Sequence, residues 1–234
     1  SDWERVASAA LDKFGAIHAV MNNAGVGGGG SSGPIEEQSA EDWRWTIDVN
    51  LMGVVFGVKT MVPHIKEAGG GWILNVASMA GMNGFPFGGA YNATKLAVAG
   101  LSEGWAMELA PSGIQVATLC PGFVKTRIYL SDRVRPSDYD ASHRELVMSD
   151  EDLDQETMSV GISNEVKNVI DADVLAARVI ESLRAGDLYI FTHPSFRSGV
   201  GERYAMIDRC FESAERSPIV GAVTSSVSNP DVFK

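Results

Sequence analysis

The sequence has little cysteine, little basic charge and no long apolar run. Its 234 residues include 2 cysteines, too few for the disulfide framework of a small secreted domain and typical of a reducing compartment. Lys and Arg number 19 against 30 Asp and Glu, which argues against a nucleic-acid surface because phosphate binding needs concentrated positive charge. No apolar run approaches the roughly 20 residues that span a membrane. We therefore expect a cytoplasmic protein that binds neither nucleic acid nor membrane.

What the sequence does contain is an alternation of short apolar segments with helical ones. Apolar strands separated by helices are typical of a parallel sheet covered on both faces. We therefore predict an α/β fold, a Rossmann-like doubly wound parallel sheet, formed by a single domain over residues 1–234. Strands are expected at about 16–23, 71–78, 113–120 and 187–193, and helices at about 3–15, 41–66, 89–110, 172–186 and 196–215.

A glycine run, MNNAGVGGGG at residues 21–30, fits the spacing of a dinucleotide-binding loop at Gly25, Gly27 and Gly30. Such a loop needs its last glycine to open a helix, whose N-terminal N–H groups face the phosphates. Here the run continues into SSGPIEEQS, which is typical of turns. The spacing therefore fails its structural test, and the small residues up to Gly25 are the part that lets a flat ligand approach the backbone.

Ligands of such folds bind at the carboxyl ends of the strands. The residues that follow the predicted strands are therefore the first candidates for a site. They are Asn23-Ala24-Gly25, Ser78, Pro121-Gly122 and His193-Pro194.

Tyr91 and Lys95 stand four residues apart in AYNATK and so share one face of a predicted helix. A phenol has an ordinary pKa near 10, and a neighbouring ammonium and a helix N-terminus both favour the phenolate. A tyrosine with a lowered pKa can give or take a proton near neutral pH. The pair alone is weak evidence, because an amphipathic surface pair has the same spacing.

Two more polar residues are candidates for the same site as that pair. Ser78 ends the second strand, where its hydroxyl can hydrogen-bond a substrate oxygen, although serine there is often only a turn residue. Asn50 interrupts an otherwise apolar helical stretch, VNLMGVVFGV, and a buried Asn must find hydrogen-bond partners. Neighbouring backbone alone could satisfy it.

Taken together, Asn22-Asn23-Ala24-Gly25, Asn50, Ser78, Tyr91-x-x-x-Lys95 and Pro121-Gly122-x-x-x-Thr126 resemble the classical short-chain dehydrogenase/reductase (SDR) family in order and spacing. The resemblance implies that Tyr91 is the general acid/base and that Lys95 lowers its pKa and holds the nicotinamide ribose. It implies that Ser78 positions the substrate carbonyl and that Asn50 supports a water in a proton relay. It also implies a bound NAD or NADP, contacted by Asn23, Ala24, Gly25, Tyr91, Lys95, Pro121, Gly122, Val124 and Thr126.

The reaction implied by the resemblance interconverts a secondary alcohol and a ketone by hydride transfer, while Tyr91 moves the proton. Met82, Phe85, Phe87 and Phe123 lie near the expected crevice and suggest an apolar substrate, although they could equally belong to the core. Two alternatives stay open: a same-fold lyase or dehalogenase, in which Arg stands where Lys95 does, and a non-catalytic oligomerising fragment. A hydrolase is disfavoured because Ser78 lies outside a G-x-S-x-G elbow.

The resemblance also has a gap. The family's phosphate loop, Thr-Gly-x-x-x-Gly-x-Gly, has no counterpart in the 234 residues. We therefore expect the first strands of the fold to be absent from this sequence, so that residues 1–234 form an N-terminally incomplete SDR domain.

Two regions outside the motifs carry further expectations. Residues 127–165 occupy the place of the family's substrate lid. An acidic run within them, 150–154, lacks the Gly and Glu that a calcium loop needs, so no metal site is expected.

By resemblance, the helix after Tyr91 and the helix at 41–66 form an interface between copies, and we expect a homodimer or homotetramer. A stripe of small residues on the first of these helices would let another helix approach closely: Ala93, Ala97, Gly100 and Gly104.

Overall fold

A computed structural model describes residues 2–27, 33–139 and 168–221 of the chain. It confirms the alternation predicted from the sequence, with ends shifted by a few residues. The strands are β1 (Ala19–Asn22), β2 (Gly71–Val76), β3 (Ile114–Cys120) and β4 (Tyr189–Phe191). The helices are α1 (Asp2–Phe14), α2 (Ala40–Ile47), α3 (Gly53–Glu67), α4 (Gly89–Leu109), α5 (Ala172–Ala185) and α6 (Arg197–Glu215).

The chain divides into two compact units, Ser1–His193 and Pro194–Lys234. The first unit contains the sheet and helices α1 to α5. The second contains α6, which follows a short 3-10 turn at Pro194–Phe196. The prediction of a single domain over residues 1–234 stays a prediction.

The four strands form one parallel sheet in the order β1-β2-β3-β4. In its register, Val20 lies opposite Ile73, and Leu74 lies opposite Ala117. Because every strand runs in the same direction, all four carboxyl ends meet at one edge. This edge brings together the segments that follow β1, β2, β3 and β4.

Helices cover the sheet on both faces. Neighbouring residues of a strand point to opposite faces, and in β2 Leu74 joins an apolar cluster with Leu119 and with Val179 of α5. The next residue, Asn75, donates from Nδ2 to Ser102 Oγ of α4 at 3.0 Å. The predicted Rossmann-like doubly wound parallel sheet is thus confirmed.

The helix predicted at 41–66 covers Ala40–Glu67 and contains a change of helical type. Ser39 caps the N-terminus of α2, and its Oγ accepts from Asp42 N–H at 3.1 Å, as the capping pattern predicts. Between α2 and α3 the backbone forms a π-helical turn over Asp48–Met52. Such turns inside α-helices are rare and occur often at functional sites, and this one contains Asn50.

The stretch Ala40–Glu67 is long and apolar enough to cross a membrane by length and composition alone. Core helices of folded proteins pass the same test. Here the stretch carries polar residues with 0 to 3% of their surface exposed, Asp42, Thr46 and Asn50, and Thr46 Oγ1 donates to Asp42 O at 2.8 Å. We interpret it as a helix of the core.

The described start of the expected lid lies against α2 and the π-helical turn. It forms 3-10 turns at Ile128–Val134 and Ser137–Tyr139. Arg135 pairs with Asp42 at 2.5 Å, and the Tyr139 hydroxyl donates to Asp48 Oδ2 at 2.8 Å. Residues 140–165 of the expected lid, with the acidic run 150–154, lie outside the described residues.

Candidate active site

Ser78 is fixed by the ends of two strands. The residue before it, Ala77, donates its N–H to Leu119 O at 2.8 Å, and the residue after it, Met79, donates to Pro121 O at 2.9 Å. Its own Oγ accepts from Ala80 N–H at 3.1 Å and begins a 3-10 turn. The backbone on both sides of Ser78 is therefore tied to the end of β3.

Tyr91 lies in the first turn of α4 and is hydrogen-bonded to Ser78 through their side chains. The pKa of Tyr91 is raised above its ordinary value because burial penalises the phenolate, and the Ser78 hydrogen bond offsets part of that effect. A hydrogen bond that the Ser78 hydroxyl donates to the phenol oxygen would stabilise the phenolate. The structure thus brings together the two hydroxyls that the sequence pairs.

Lys95 lies one turn further along α4, with 3% of its surface exposed. Its Nζ donates to Val76 O at 2.8 Å and is 5.6 Å from the centroid of the Tyr91 ring. Burial lowers the pKa of Lys95 to about 8, partly opposed by nearby Cys120. Burial also raises the pKa of Cys120 to about 11.

The net pKa of Tyr91 differs from the expectation that Lys95 and the helix N-terminus lower it. The ammonium donates to Val76 O at 2.8 Å and lies 5.6 Å from the centroid of the Tyr91 ring. Desolvation of the phenolate is the larger effect, and the pKa of Tyr91 rises. The unliganded protein therefore holds Tyr91 in its protonated form at neutral pH.

Asn50 clamps the loop that follows β1. Its Oδ1 accepts from Val26 N–H at 2.7 Å and its Nδ2 donates to Val26 O at 2.9 Å. Between the clamp and Lys95 stands Gly25, at which a Cβ would lie 3.4 Å from Asn50 Oδ1 and 3.5 Å from Lys95 Nζ. Asn50, Gly25 and Lys95 therefore converge at the carboxyl end of β1. The predicted part of Asn50 in a proton relay stays a prediction.

The residues expected to contact a cofactor follow β1 and β3 at the same edge of the sheet. Gly122 N–H donates to Thr192 Oγ1 at 3.2 Å, and Thr126 Oγ1 accepts from Ile128 N–H at 3.4 Å. The rest of the glycine run beyond Gly27, residues 28–30, lies outside the described residues. Asn23, Ala24 and Thr126 are exposed, whereas Gly25, Pro121, Gly122 and Val124 are half-buried.

The sequence did not point to Asn92, the neighbour of Tyr91. Its Nδ2 donates to Ala80 O and Asn83 O, each at 3.0 Å, and its Oδ1 accepts from Phe85 N–H at 3.3 Å. It therefore fastens the loop after Ser78 to the first turn of α4. The Gly- and Pro-rich composition of 81–89 signals a loop, but it does not say which helical residue holds that loop.

No group of three or more His, Cys, Asp or Glu side chains that could hold a metal ion occurs within residues 2–27, 33–139 and 168–221. The chemistry available at this edge is that of two hydroxyls, an ammonium and a carboxamide. Such a set can transfer a proton to or from an oxygen and can bind hydroxyl-rich ligands.

Known proteins share both the sequence and the fold. Residues 1–134 match the family model described as short chain dehydrogenase. A 3-alpha-(or 20-beta)-hydroxysteroid dehydrogenase of Mycobacterium bovis is 41% identical over 126 residues, which are 54% of this chain and 47% of that protein. A CLA biosynthesis dehydrogenase/reductase of Lactiplantibacillus plantarum is 32% identical over 201 residues, 85% of this chain and 68% of that protein.

Among solved structures, a short chain dehydrogenase/reductase SDR from Burkholderia phymatum in complex with NAD gives a TM-score of 0.75 at 33% identity. The match covers 88% of this chain and 72% of that one. This chain spans about half the length of the hydroxysteroid dehydrogenase it matches. The family model, the sequence relatives and the shared fold agree, and the chain belongs to the short-chain dehydrogenase family.

Proposed function

We propose that the protein is an NAD(P)-dependent oxidoreductase that interconverts a secondary alcohol and a ketone. The observation that carries this proposal is the position of the Tyr91 phenol beside the Ser78 side chain, with the Lys95 ammonium 5.6 Å from the centroid of the Tyr91 ring. A phenol with these two neighbours is equipped to exchange a proton with a substrate oxygen. Membership of the short-chain dehydrogenase family supports the same reaction.

The residues at the sheet edge fit a nicotinamide nucleotide. Gly25 leaves a gap beside Asn50 and Lys95 that a Cβ would fill, so the backbone there is open to a flat ligand. Lys95 would bind the ribose hydroxyls through Nζ. Asn23 to Gly25 would hold the adenosine side, and Pro121, Gly122, Val124 and Thr126 the nicotinamide side. When bound, NAD or NADP supplies the acceptor or donor of the hydride.

Tyr91 and Ser78 would handle the proton and the substrate oxygen. Ser78 Oγ is held by Ala80 N–H, so its hydrogen is free to bond a carbonyl oxygen in place of the phenol. In ketone reduction, Tyr91 donates its phenol proton to that oxygen. In alcohol oxidation the phenolate takes the proton back, and the Lys95 ammonium stabilises the negative charge. A raised pKa favours the protonated Tyr91 that reduction requires.

An apolar substrate is the second part of the proposal. Phe85 and Phe87 lie in the loop before α4, with 44% and 65% of their surfaces exposed. Met82, another residue of that loop, is buried and belongs to the core. One relative is by its name a hydroxysteroid dehydrogenase, and we infer a cyclic or similarly apolar secondary alcohol for this protein.

The test is turnover of hydrophobic secondary alcohols and their ketones with NAD(H) and NADP(H), followed by absorbance of the reduced nucleotide. Replacing Tyr91 with Phe removes the proton donor and should lower kcat by at least about 100-fold, the contribution of a general acid, while nucleotide still binds. Tyr204→Phe, at an exposed tyrosine of α6, is the matched control and should retain turnover. Normal turnover by Tyr91→Phe would contradict the mechanism.

The alternatives make different predictions in the same assay. A same-fold lyase or dehalogenase would consume substrate without nicotinamide nucleotide. A non-catalytic fragment would consume no substrate, with or without the nucleotide. Lys95 favours the dehydrogenase, because a buried ammonium beside Gly25 and Tyr91 serves both the ribose and the phenolate.

We also propose that copies of the chain associate through α3 and α4. An added Cβ at Gly100 or Gly104 would meet no atom of the described residues within 4 Å. The small-residue stripe of α4 is therefore open. Leu96 and Met107, on the same helix, are 45% and 52% exposed, and Phe56 of α3 is 48% exposed. Apolar groups around an open stripe are typical of a helix–helix interface.

A cytoplasmic location completes the proposal. Cys120 and Cys210 are both free, and unpaired thiols persist in a reducing compartment. Cell fractionation tests it, and recovery of the protein in an oxidising compartment would contradict it.

A further inference from the structure

Two consecutive residues after β4, Thr192 and His193, connect segments on either side of the expected nicotinamide end of the site. Thr192 Oγ1 accepts from Gly122 N–H at 3.2 Å and lies 2.7 Å from His193 Nδ1. His193 Nε2 lies 2.7 Å from Asn168 O. His193 is 6% exposed, so its ring is shielded from water. None of the reaction steps described above uses it.

The carbonyl partner of His193 sets the direction of the hydrogen bonds that a neutral ring makes. A backbone carbonyl can only accept, so His193 Nε2 carries a hydrogen and donates it to Asn168 O. In the neutral ring Nδ1 then accepts, and its donor is the Thr192 hydroxyl. The same hydroxyl oxygen accepts from Gly122 N–H. One directed chain of hydrogen bonds therefore runs from Gly122 to Asn168.

Backbone hydrogen bonds also join the two segments that these side chains connect. Ile170 N–H donates to Phe123 O at 3.1 Å, and Lys125 N–H donates to Ile170 O at 3.0 Å. Residues 123–125 therefore run parallel to 168–170, with a bridge between Val124 and Ile170. Thr192 holds one end of the first segment, and His193 holds the start of the second. The two side chains set the position of one segment relative to the other.

We propose that Thr192 and His193 are positioning residues that fix the segment from Pro121 to Thr126 in the conformation that receives the nicotinamide nucleotide. This inference rests on the proposed function, which assigns that segment to the nicotinamide end. Neither residue is assigned a contact with substrate, so both act through Gly122 and its neighbours. A segment ordered before binding loses less entropy when the ligand arrives, so their effect falls on nucleotide affinity and not on the proton transfer.

The central experiment compares Thr192→Val, which keeps the shape of the side chain, with Thr192→Ser, which keeps the hydroxyl. Nucleotide affinity is measured by titrating NAD(H) and NADP(H) against tryptophan fluorescence. Loss of one hydrogen bond should raise Kd about five- to tenfold in Thr192→Val. Thr192→Ser should restore Kd to within about twofold of the parent value. At saturating nucleotide, kcat of Thr192→Val should stay close to that of the parent protein.

Two further measurements keep the result independent of turnover. Hydrogen exchange at the Gly122 amide in the nucleotide-free protein should accelerate in Thr192→Val and not in Thr192→Ser, because only the first removes the acceptor. His193→Phe keeps a planar ring without either hydrogen bond and should raise Kd in the same direction.

The outcomes separate this inference from the function on which it rests. If the parent protein binds neither NAD nor NADP, the proposed function fails and this inference fails with it. If the parent protein binds nucleotide and Thr192→Val binds it equally well with unchanged Gly122 exchange, only the positioning role is overturned.

Discussion

At the scale of single residues, burial decides the chemistry of the candidate site. Tyr91 and Lys95 both lose hydration, and the loss moves their pKa values apart: that of Tyr91 rises, and that of Lys95 falls to about 8. The sequence gives the spacing of the pair. It does not give the desolvation of the phenol, which raises the pKa of Tyr91.

These pKa directions predict the pH dependence of the proposed reaction. Alcohol oxidation needs the Tyr91 phenolate, so kcat/KM for the alcohol should rise about tenfold per pH unit from about pH 6 to about pH 8. Above about 8 Lys95 loses its proton and with it the charge that stabilises the phenolate, so the rise should flatten. Ketone reduction needs the protonated phenol and should not rise over this range. Steady-state rates across pH provide the measurement.

Replacing a second, exposed lysine separates the effect of Lys95 on the pH profile from a general loss of positive charge. Lys66→Met, at an exposed lysine of α3, should leave the profile unchanged, whereas Lys95→Met should remove the flattening and lower the rate throughout. An oxidation profile that is flat between about pH 6 and about pH 8 would show that Tyr91 does not control the reaction.

At the scale of elements, close packing between α3 and β1 depends on one glycine. A buried ladder links Asn22 Nδ2 to Asn75 Oδ1 at 2.7 Å and continues to Ser102. Gly57 of α3 lies directly over this ladder, and a Cβ there would stand 2.1 Å from Asn22 Oδ1 and 2.8 Å from Trp3 Cζ2. Neither atom belongs to the freely moving end of a surface side chain.

Gly57→Ala should therefore destabilise the protein, although alanine is the better helix former. Overpacking costs about 1–3 kcal/mol, against a gain in helix propensity of at most about 1 kcal/mol. Urea unfolding should show the loss as a lower midpoint. The matched control is Gly53→Ala on the same helix, where the added Cβ meets Asp48 O at an ordinary 3.7 Å. Gly57→Ala with a midpoint at or above that of Gly53→Ala would contradict this packing.

At the scale of the whole molecule, the open stripe on α4 predicts self-association. The parent protein should sediment as a dimer or tetramer at micromolar concentration. Gly104→Arg should shift it toward monomer, because the added side chain blocks close helix approach while meeting no atom of the described residues near its Cβ. Sedimentation velocity provides the measurement.

The control for that prediction is another open helical glycine. Gly201→Arg on α6 adds the same side chain where a Cβ also has open space among the described residues, and it should leave the sedimentation coefficient unchanged. A monomeric parent protein, or equal behaviour of the two variants, would contradict the proposed interface.

The sequence by itself determined the order of helices and strands, the parallel sheet and the identity of Ser78, Tyr91 and Lys95 as one group. Apolar periodicity suffices for the elements and the sheet, whereas the three residues were grouped by the resemblance to a known family and not by their spacing alone. The long helix at 41–66 marks the limit. Its composition predicts one continuous helix, whereas the π-helical turn at Asp48–Met52 arises where Asn50 turns to clamp Val26.

Tertiary structure alone decided the contacts between distant segments. Asn92 fastens the loop after Ser78, and Thr192 meets Gly122 although 70 positions separate them. It also decided the protonation of Tyr91, since desolvation depends on which side chains surround the phenol and not on its neighbours in the chain. Spacing along a helix is a local property, whereas burial and hydrogen-bond partners across the sheet edge exist only once the strands have paired.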